Sequence, residues 1–191
     1  MQINKNINID EIQQIWDLVS KLHNGQKYGG AVENQQIEYI NHIGGVAFEI
    51  LAAIAHTENM NGDLAIKCAL LHDTIEDTDF SYHATEELFG KEVADGVLAL
   101  TKNTEIEGRA EKMTDSLQRI KQQPKEIWAV KMADRICNLS TIPYYWDKDK
   151  IEFYAREAQL ICDELKAGNP YLAQRLQTKI QDYSAPGTLP I

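Results

Sequence analysis

The stretch ALLHDTIEDT, residues 69–78, places one histidine and three acidic residues directly after an apolar run. Before it, apolar residues recur at intervals of three and four, the spacing of one face of an α-helix, so a helix is predicted over 63–77. His72 and Asp73 continue the two stripes of that helix that should be buried. A charged group is buried in a protein only when it is paired or binds an ion. The stretch therefore predicts a helix that enters the core and needs a partner for its charges there.

The same spacing runs through most of the remaining chain and predicts further helices. They are expected at about 9–22, 43–55 and 81–89, from residue 92 onward, across the polar stretch 107–123, from 125 after Pro124, at 150–167 and at 171–183. Asp10 stands where an N-cap is expected, and Gly90 stands where a helix should end. Residues 23–39 have no regular period, which indicates a loop. No run alternates with the period of two typical of a strand, so the predicted fold is all-α, a compact helical bundle.

Length and composition predict one folded domain over 1–191, with its core at about 10–183 and a frayed tail at 184–191. The chain is 43% apolar and 25% charged, as in ordinary globular proteins. Its net charge of −10 argues against nucleic acid or an anionic membrane as a partner. The N-terminus lacks the residue order of a signal peptide and no run is apolar for the length of a membrane span, so a cytoplasmic protein is predicted. The three cysteines are far apart and are expected to be reduced. The sequence is silent on oligomeric state.

A second predicted helix carries a carboxylate in an otherwise apolar row. Asp134 shares a stripe with Ile127 and Val130, and Thr141 continues that stripe. A bare carboxylate buried there would be destabilising by several kcal/mol, so Asp134 needs a cation or strong donors. A basic neighbour on the same helix is one candidate partner.

The ionisable residues of these helices allow two interpretations. Taken separately, each histidine is a hydrogen-bonded core residue and Asp134 is half of an ion pair. Taken together, two imidazoles and two carboxylates make a mixed nitrogen and oxygen site for a divalent metal. The four candidate ligands are His42, His72, Asp73 and Asp134. Spacing alone leaves both interpretations open.

Further polar residues lie one or two helical turns beyond these candidates. Glu76 and Asp77 follow the pair His72 and Asp73, and a carboxylate there is placed to orient or deprotonate an attacking water instead of binding the metal. Asn138 and Thr141 follow Asp134. They are candidate contacts in the same cavity, or caps of the helix end.

The order His42, then His72 and Asp73, then Asp134 resembles the signature of the HD-domain metal-dependent phosphohydrolases. The surrounding stretches are similar to the hydrolase domain of the RelA/SpoT family, and most of all to its stand-alone small alarmone hydrolases, the Mesh1-like group. These stretches are YINH at 39–42, ALLHDTIEDT at 69–78, LFGKEVADGVLALTK at 88–102 and VKMADRICNLST at 130–141.

The resemblance implies an HD-domain bundle and a small-molecule nucleotide substrate. The implied reaction is a Mn²⁺-dependent removal of the 3′-pyrophosphate from guanosine tetra- or pentaphosphate, which yields GDP or GTP and pyrophosphate. The implied metal ligands are His42, His72, Asp73 and Asp134, the implied water-activating residues are Glu76 and Asp77, and the implied nucleotide contacts are Asn138 and Thr141. Arg135, in the same motif as Asp134, is expected to pair with a nearby carboxylate.

One loop departs from the family's pattern. Where the family has H-x-x-Q-x-R-K, this chain has HNGQKYGG at 23–30, with Lys27 one place early and Tyr28 in a basic position. Lys27 is a candidate phosphate contact and Tyr28 a candidate stacking platform for a purine. Three alternatives follow: the same chemistry on adenosine alarmones, another nucleotide phosphohydrolase such as a monophosphatase, and a non-catalytic nucleotide-binding module. The ligand set would also accept Fe²⁺, Co²⁺, Ni²⁺ or Zn²⁺.

Overall fold

A computed structural model describes residues 7–184 and confirms the all-α prediction. Its helices are α1 Ile9–Leu22, α2 Ile40–His56, α3 Gly62–Leu71, α4 Thr74–Asp77, α5 Tyr82–Phe89, α6 Lys91–Leu100, α7 Arg109–Lys121, α8 Lys125–Asn138, α9 Lys148–Leu165 and α10 Pro170–Ser184. The tail at 184–191 was predicted to be frayed, and its residues beyond 184 lie outside the described ones. Between residues 7 and 184, no helix is long and apolar enough to cross a membrane.

The predicted loop at 23–39 contains a short antiparallel hairpin instead of being wholly irregular. Its strands are β1 Lys27–Gly29 and β2 Gln36–Glu38, with Tyr28 opposite Ile37. Each strand has three residues, which is too short for an alternating pattern to be visible in the sequence. The hairpin leads directly into α2 and forms part of the wall of the site.

The N-cap of α1 is Asn8, so the assignment of that role to Asp10 was wrong. The Asn8 side-chain oxygen accepts hydrogen bonds from the backbone N–H groups of Asp10, at 3.2 Å, and Glu11, at 3.4 Å. Both acids lie in the first turn, where negative charge is favoured by the helix dipole. A neutral amide therefore caps the helix, and the acids stabilise its first turn.

The predicted continuous helix over 63–77 is broken at His72 and Asp73. Helix α3 ends at Leu71, Asp73 has φ −104° and ψ 0°, and the single turn α4 starts at Thr74. The buried Thr74 hydroxyl donates to the Leu71 carbonyl oxygen at 2.8 Å, which satisfies an acceptor that the break leaves open. The break changes the direction of the chain before Glu76 and Asp77, the acidic residues that follow it.

The core lies between α2, α3 and α8, which pack on one another, with α6, α9 and α10 around them. Fully buried side chains from the three central helices include Ile43 and Ile50, Ile66 and Leu71, and Ile127, Met132 and Ile136. The first turn of α2, the break that follows α3 and the last turns of α8 carry the candidate metal ligands. A close-packed core thus holds those ligands on rigid elements.

Gly96 lies where α6 crosses this core, and we expect alanine there to destabilise the protein. An added Cβ would lie 2.6 Å from Cδ1 of the fully buried Ile127 and 3.1 Å from Sγ of Cys68. Overpacking of this kind costs about 1–3 kcal/mol, which exceeds the roughly 1 kcal/mol that alanine contributes to a helix over glycine. Chemical denaturation should show a lower free energy of unfolding for Gly96→Ala.

The matched control is Gly44→Ala in α2. A Cβ at Gly44 would meet no atom closer than the Trp16 ring at 3.4 Å, an ordinary contact. This variant should be unchanged in stability, or stabilised by up to about 1 kcal/mol. Equal shifts for the two variants would contradict the packing argument.

Candidate metal centre

Three buried donors from three helices converge where α2, α3 and α8 meet. His42 Nε2 lies 3.2 Å from His72 Nε2 and 3.4 Å from Asp134 Oδ1. The donor atoms of these three residues all lie within 4.8 Å of one another. His72 Nδ1 donates to the Ala69 carbonyl oxygen at 2.8 Å, which leaves Nε2 turned toward the other donors.

Asp73, the fourth predicted ligand, lies beside the two histidines. Its Oδ2 lies 2.9 Å from His72 Nε2 and 3.7 Å from His42 Nε2. The Tyr39 hydroxyl donates to the same oxygen, which orients the carboxylate. The break between α3 and α4 allows two consecutive residues, His72 and Asp73, to reach one point, although side chains of neighbours on a regular helix leave it about 100° apart.

The electrostatics of the cluster favour a cation. Burial would raise the pKa of Asp134, but Lys131 and the two imidazoles outweigh it and hold that pKa well below its usual range. Burial acts the same way on Asp73, and His72 outweighs it there, so the Asp73 pKa is also lowered. Burial would lower the pKa of His72, but Asp73 and Asp134 raise it to about 9. Both carboxylates are therefore ionised at neutral pH.

The donor chemistry fits a divalent transition metal. Two buried imidazole nitrogens and two nearby carboxylates, of which Asp134 is buried and Asp73 partly buried, are ligands that Mn²⁺, Fe²⁺ and Zn²⁺ accept. The ion pair considered for Asp134 is also present, because Lys131 Nζ donates to its Oδ2 at 3.0 Å. Asn138 Nδ2 donates to Oδ1 of the same carboxylate at 2.5 Å. Asn138 thus contacts a candidate ligand and orients it.

A cavity of about 550 Å³ opens beside the cluster and contains both predicted water-activating acids. Glu76 accepts hydrogen bonds from the backbone N–H of Lys102, at 2.9 Å, and from its ammonium group. Asp77 is an exposed residue at the cavity's edge, and partial desolvation of its carboxyl, with the charges of Asp73 and Glu76, raises its pKa. The two carboxylates therefore differ: Lys102 neutralises one, and the other binds a proton more readily than an ordinary aspartate.

A second cavity, of about 330 Å³, lies on the other side of Tyr39 and Asn138, which line both. Besides Asn138, it includes two more predicted nucleotide contacts, Tyr28 and Thr141, together with Tyr145 and Trp146. Because α8 ends at Asn138, Thr141 reaches this wall from a loop, and its placement on a helical stripe with Asp134 was wrong.

Lys27 lies outside the lining of both cavities. Its ammonium group pairs with Glu38 at 2.9 Å across the hairpin, and both side chains are about half exposed. The neighbouring Tyr28 turns inward, and its ring contacts Tyr39 edge to face with centroids 6.3 Å apart. The alternation of side chains along β1 accounts for this difference, since consecutive residues face opposite sides of a strand.

Sequence reasoning missed several residues of the larger cavity. Tyr39 belongs to the quoted YINH stretch but had no role assigned. Arg109 and Glu157 are bonded side chain to side chain on its wall, although they lie 48 residues apart and belong to no motif. The sequence feature that could have indicated Arg109 is its position as a basic residue at the start of a polar helix.

We expect Tyr39→Phe to weaken metal binding while leaving the fold intact. The substitution removes the hydroxyl that holds Asp73, and loss of such an outer contact lowers metal affinity about 10- to 100-fold. Calorimetric titration of Mn²⁺ into chelator-treated protein measures the change. Tyr171→Phe is the control, because that ring stacks on His56 far from the cluster. Equal affinities for wild type and Tyr39→Phe would remove Tyr39 from the site.

Comparison with known proteins agrees with this geometry. A family profile described as HD domain matches residues 16–169. A zebrafish protein (Danio rerio) named guanosine-3′,5′-bis(diphosphate) 3′-pyrophosphohydrolase MESH1 is 29% identical over 143 residues, covering 73% of this chain and 77% of the relative. An Aquifex aeolicus guanosine-3′,5′-bis(diphosphate) 3′-pyrophosphohydrolase is 30% identical over 80% of this chain, but over only 20% of its own length.

A solved structure, of a metazoan SpoT ortholog described as hydrolysing ppGpp, superposes with a TM-score of 0.78. It covers 94% of this chain and 98% of its own, at 23% identity, which establishes a shared fold. The profile match spans most of the chain and includes every candidate ligand. This chain therefore belongs to the HD domain family.

Proposed function

We propose that this protein is a metal-dependent 3′-pyrophosphohydrolase of guanosine tetra- and pentaphosphate, which releases pyrophosphate and GDP or GTP. The supporting observation is the convergence of His42, His72 and Asp134 beside a cavity that also holds Glu76 and Asp77. Relatives that match about three quarters of this chain and of their own length bear the name of that activity. Its partner is a small-molecule nucleotide, and a cytoplasmic location stays a prediction.

The ion would be held by His42, His72, Asp73 and Asp134, and Mn²⁺ is the ion we propose. When bound, a divalent ion stabilises charge on phosphoryl oxygens and lowers the pKa of water. Tyr39 and Asn138 orient the two carboxylates. Since Asp134 is buried, Asp73 is partly buried and both are ionised, the protein supplies the negative charge that a cation needs before substrate arrives.

Glu76 and Asp77 are the proposed proton acceptors for the attacking water. Both side chains line the cavity on the side where α4 follows the break at Asp73. Glu76 is held by two donors of Lys102, so its carboxylate has one orientation. The raised pKa of Asp77 brings it nearer the range in which a carboxylate both accepts and returns a proton.

Nucleotide binding is proposed to use both cavities, with Asn138 at their boundary. Tyr28 and Thr141 lie in the smaller one, whose wall contains several tyrosine and tryptophan rings and no lysine, arginine, aspartate or glutamate among the described residues. Lys102 and Lys131 lie in the larger one and carry positive charge toward phosphate. The geometry adds no support for Lys27 as a phosphate contact.

A substrate panel tests the proposal. Purified protein with Mn²⁺ should release pyrophosphate from guanosine tetraphosphate and pentaphosphate, and the same protein with excess chelator should not. Release of orthophosphate would instead support the nucleotide phosphatase alternative. If the guanosine alarmones, their adenosine counterparts and plain nucleotides all remained intact, the enzymatic proposal would fail.

The adenosine counterparts are a second candidate substrate class, and the smaller cavity supports them. Among the described residues, its lining has no lysine, arginine, aspartate or glutamate, and Lys27 turns away to Glu38. An aromatic platform stacks on either purine. Comparable kcat/KM for guanosine and adenosine alarmones would favour this broader specificity.

A further inference from the structure

The wall of the larger cavity contains an arginine with unused hydrogen-bond donors. Arg135 follows Asp134 on α8 and is 5% exposed. Within residues 7–184, neither its Nε nor its Nη1 has a hydrogen-bond partner, and its guanidinium lies 4.2 Å above the centre of the Tyr154 ring. Its nearest carboxylate, Oε2 of Glu157, is 3.7 Å from Nη1, which is close enough for attraction but too far for a hydrogen bond.

A second buried donor on the same wall also has no partner. The Ser116 hydroxyl, on α7, belongs to a residue that is 3% exposed and makes no hydrogen bond to the described part of the chain. Both Ser116 and Arg135 line the cavity. Buried polar groups in folded proteins are nearly always satisfied, so two unsatisfied donors on residues that line one cavity point to a ligand that accepts hydrogen bonds.

The charges of the cavity are separated into two regions. The region of the candidate metal ligands holds two lysines, Lys102 and Lys131, paired with Glu76 and Asp134, and four carboxylates in all: Asp73, Glu76, Asp77 and Asp134. Apart from the pair Lys131 and Asp134, the wall formed by α7, α8 and α9 holds three cations and one carboxylate: Arg109, Lys112, Arg135 and Glu157. Glu157 accepts two hydrogen bonds from Arg109, at 2.9 and 2.5 Å, and so fixes that guanidinium at the wall. The second region therefore carries a net positive charge.

We propose that Arg135, Ser116 and Arg109 form an anion subsite that binds a phosphate or pyrophosphate group, apart from the group at the metal ligands. Guanidinium groups present planar donors that match phosphate oxygens, and a hydroxyl adds one more donor. Glu157 is a positioning residue, because it touches the arginines and leaves Ser116 open to the ligand. The assignment of this group to the substrate's second phosphate chain rests on the proposed function, while the subsite itself does not.

Pyrophosphate binding to the metal-free protein tests the subsite. Full-length protein treated with chelator is titrated with sodium pyrophosphate in a calorimeter. Ser116→Ala should raise Kd about 3- to 10-fold, and Arg135→Gln about 10- to 100-fold. The control Arg156→Gln alters an exposed arginine of α9 outside the cavity and should leave Kd unchanged. Ser116→Ala removes only a hydroxyl, so it remains informative if Arg135→Gln fails to fold. Absence of pyrophosphate binding, or a Kd that neither variant changes, would overturn the subsite.

Two nucleotides distinguish the sources of the bound group. Guanosine tetraphosphate carries phosphates at both the 3′ and 5′ positions, and guanosine 3′-diphosphate with a free 5′-hydroxyl carries only one chain. If the second chain occupies the subsite, Ser116→Ala should raise KM for the first compound alone. If Ser116→Ala leaves both KM values unchanged but weakens inhibition by added pyrophosphate, the occupant is the free product. If neither compound is hydrolysed, the proposed function fails, and pyrophosphate binding still decides the subsite.

Discussion

Asp134→Asn is expected to lower kcat/KM by about 10³-fold or more and to remove most of the bound metal. Asparagine keeps the shape of the side chain but loses its charge, and part of its amide would present N–H groups to the surrounding donors. Lys131, Asn138 and His42 contact this carboxylate. None of them is an acid, so none can supply the negative charge that Asp134 gives to a bound cation. Loss of the several kcal/mol that a metal contributes to the transition state corresponds to about that change in rate.

Metal content after dialysis, measured by elemental analysis, and calorimetric Mn²⁺ titration are the direct readouts for Asp134→Asn. Asp17→Asn is the matched control, because that residue lies exposed on α1, far from the cluster. Circular dichroism should show that both variants remain helical. If Asp134→Asn bound Mn²⁺ with unchanged affinity, the metal-ligand interpretation of Asp134 would be wrong and its ion pair with Lys131 would be its whole role.

Glu76→Gln should lower kcat about 10²- to 10⁴-fold while metal content stays at the wild-type level. Glutamine can still accept the hydrogen bond from the Lys102 backbone, so the local structure is preserved. It cannot accept a proton from water, which is the proposed role. Single-turnover measurements separate this loss of rate in the chemical step from any change in substrate binding.

The matched control for Glu76→Gln is Glu87→Gln, an exposed position on α5 outside the cavity, which should leave kcat unchanged. Retention of more than about a tenth of kcat in Glu76→Gln would rule out Glu76 as the main proton acceptor. Asp77→Asn would then be expected to show the larger loss, because Asp77 is the other carboxylate beyond the break.

Periodicity was sufficient to predict the helices because each buries one face, and burial imposes a spacing of three and four residues. The same reasoning identified His42, His72, Asp73 and Asp134, since a charge in an apolar row requires a partner. It failed for features that depend on single hydrogen bonds. Asn8 caps α1 through its amide oxygen, and Thr74 satisfies the carbonyl at the break, and neither contact changes the apolar pattern.

The sequence by itself determined the all-α fold, the boundaries of most helices and the identity of the metal-ligand candidates. Only the tertiary structure decided which side chains share a cavity, because that depends on how helices cross and not on spacing along one of them. It brought Arg109 beside Glu157, placed Tyr39 against Asp73 and left Arg135, which lines the cavity, with unpartnered donors. Contacts between residues distant in sequence arise from packing the whole core, so no local pattern records them.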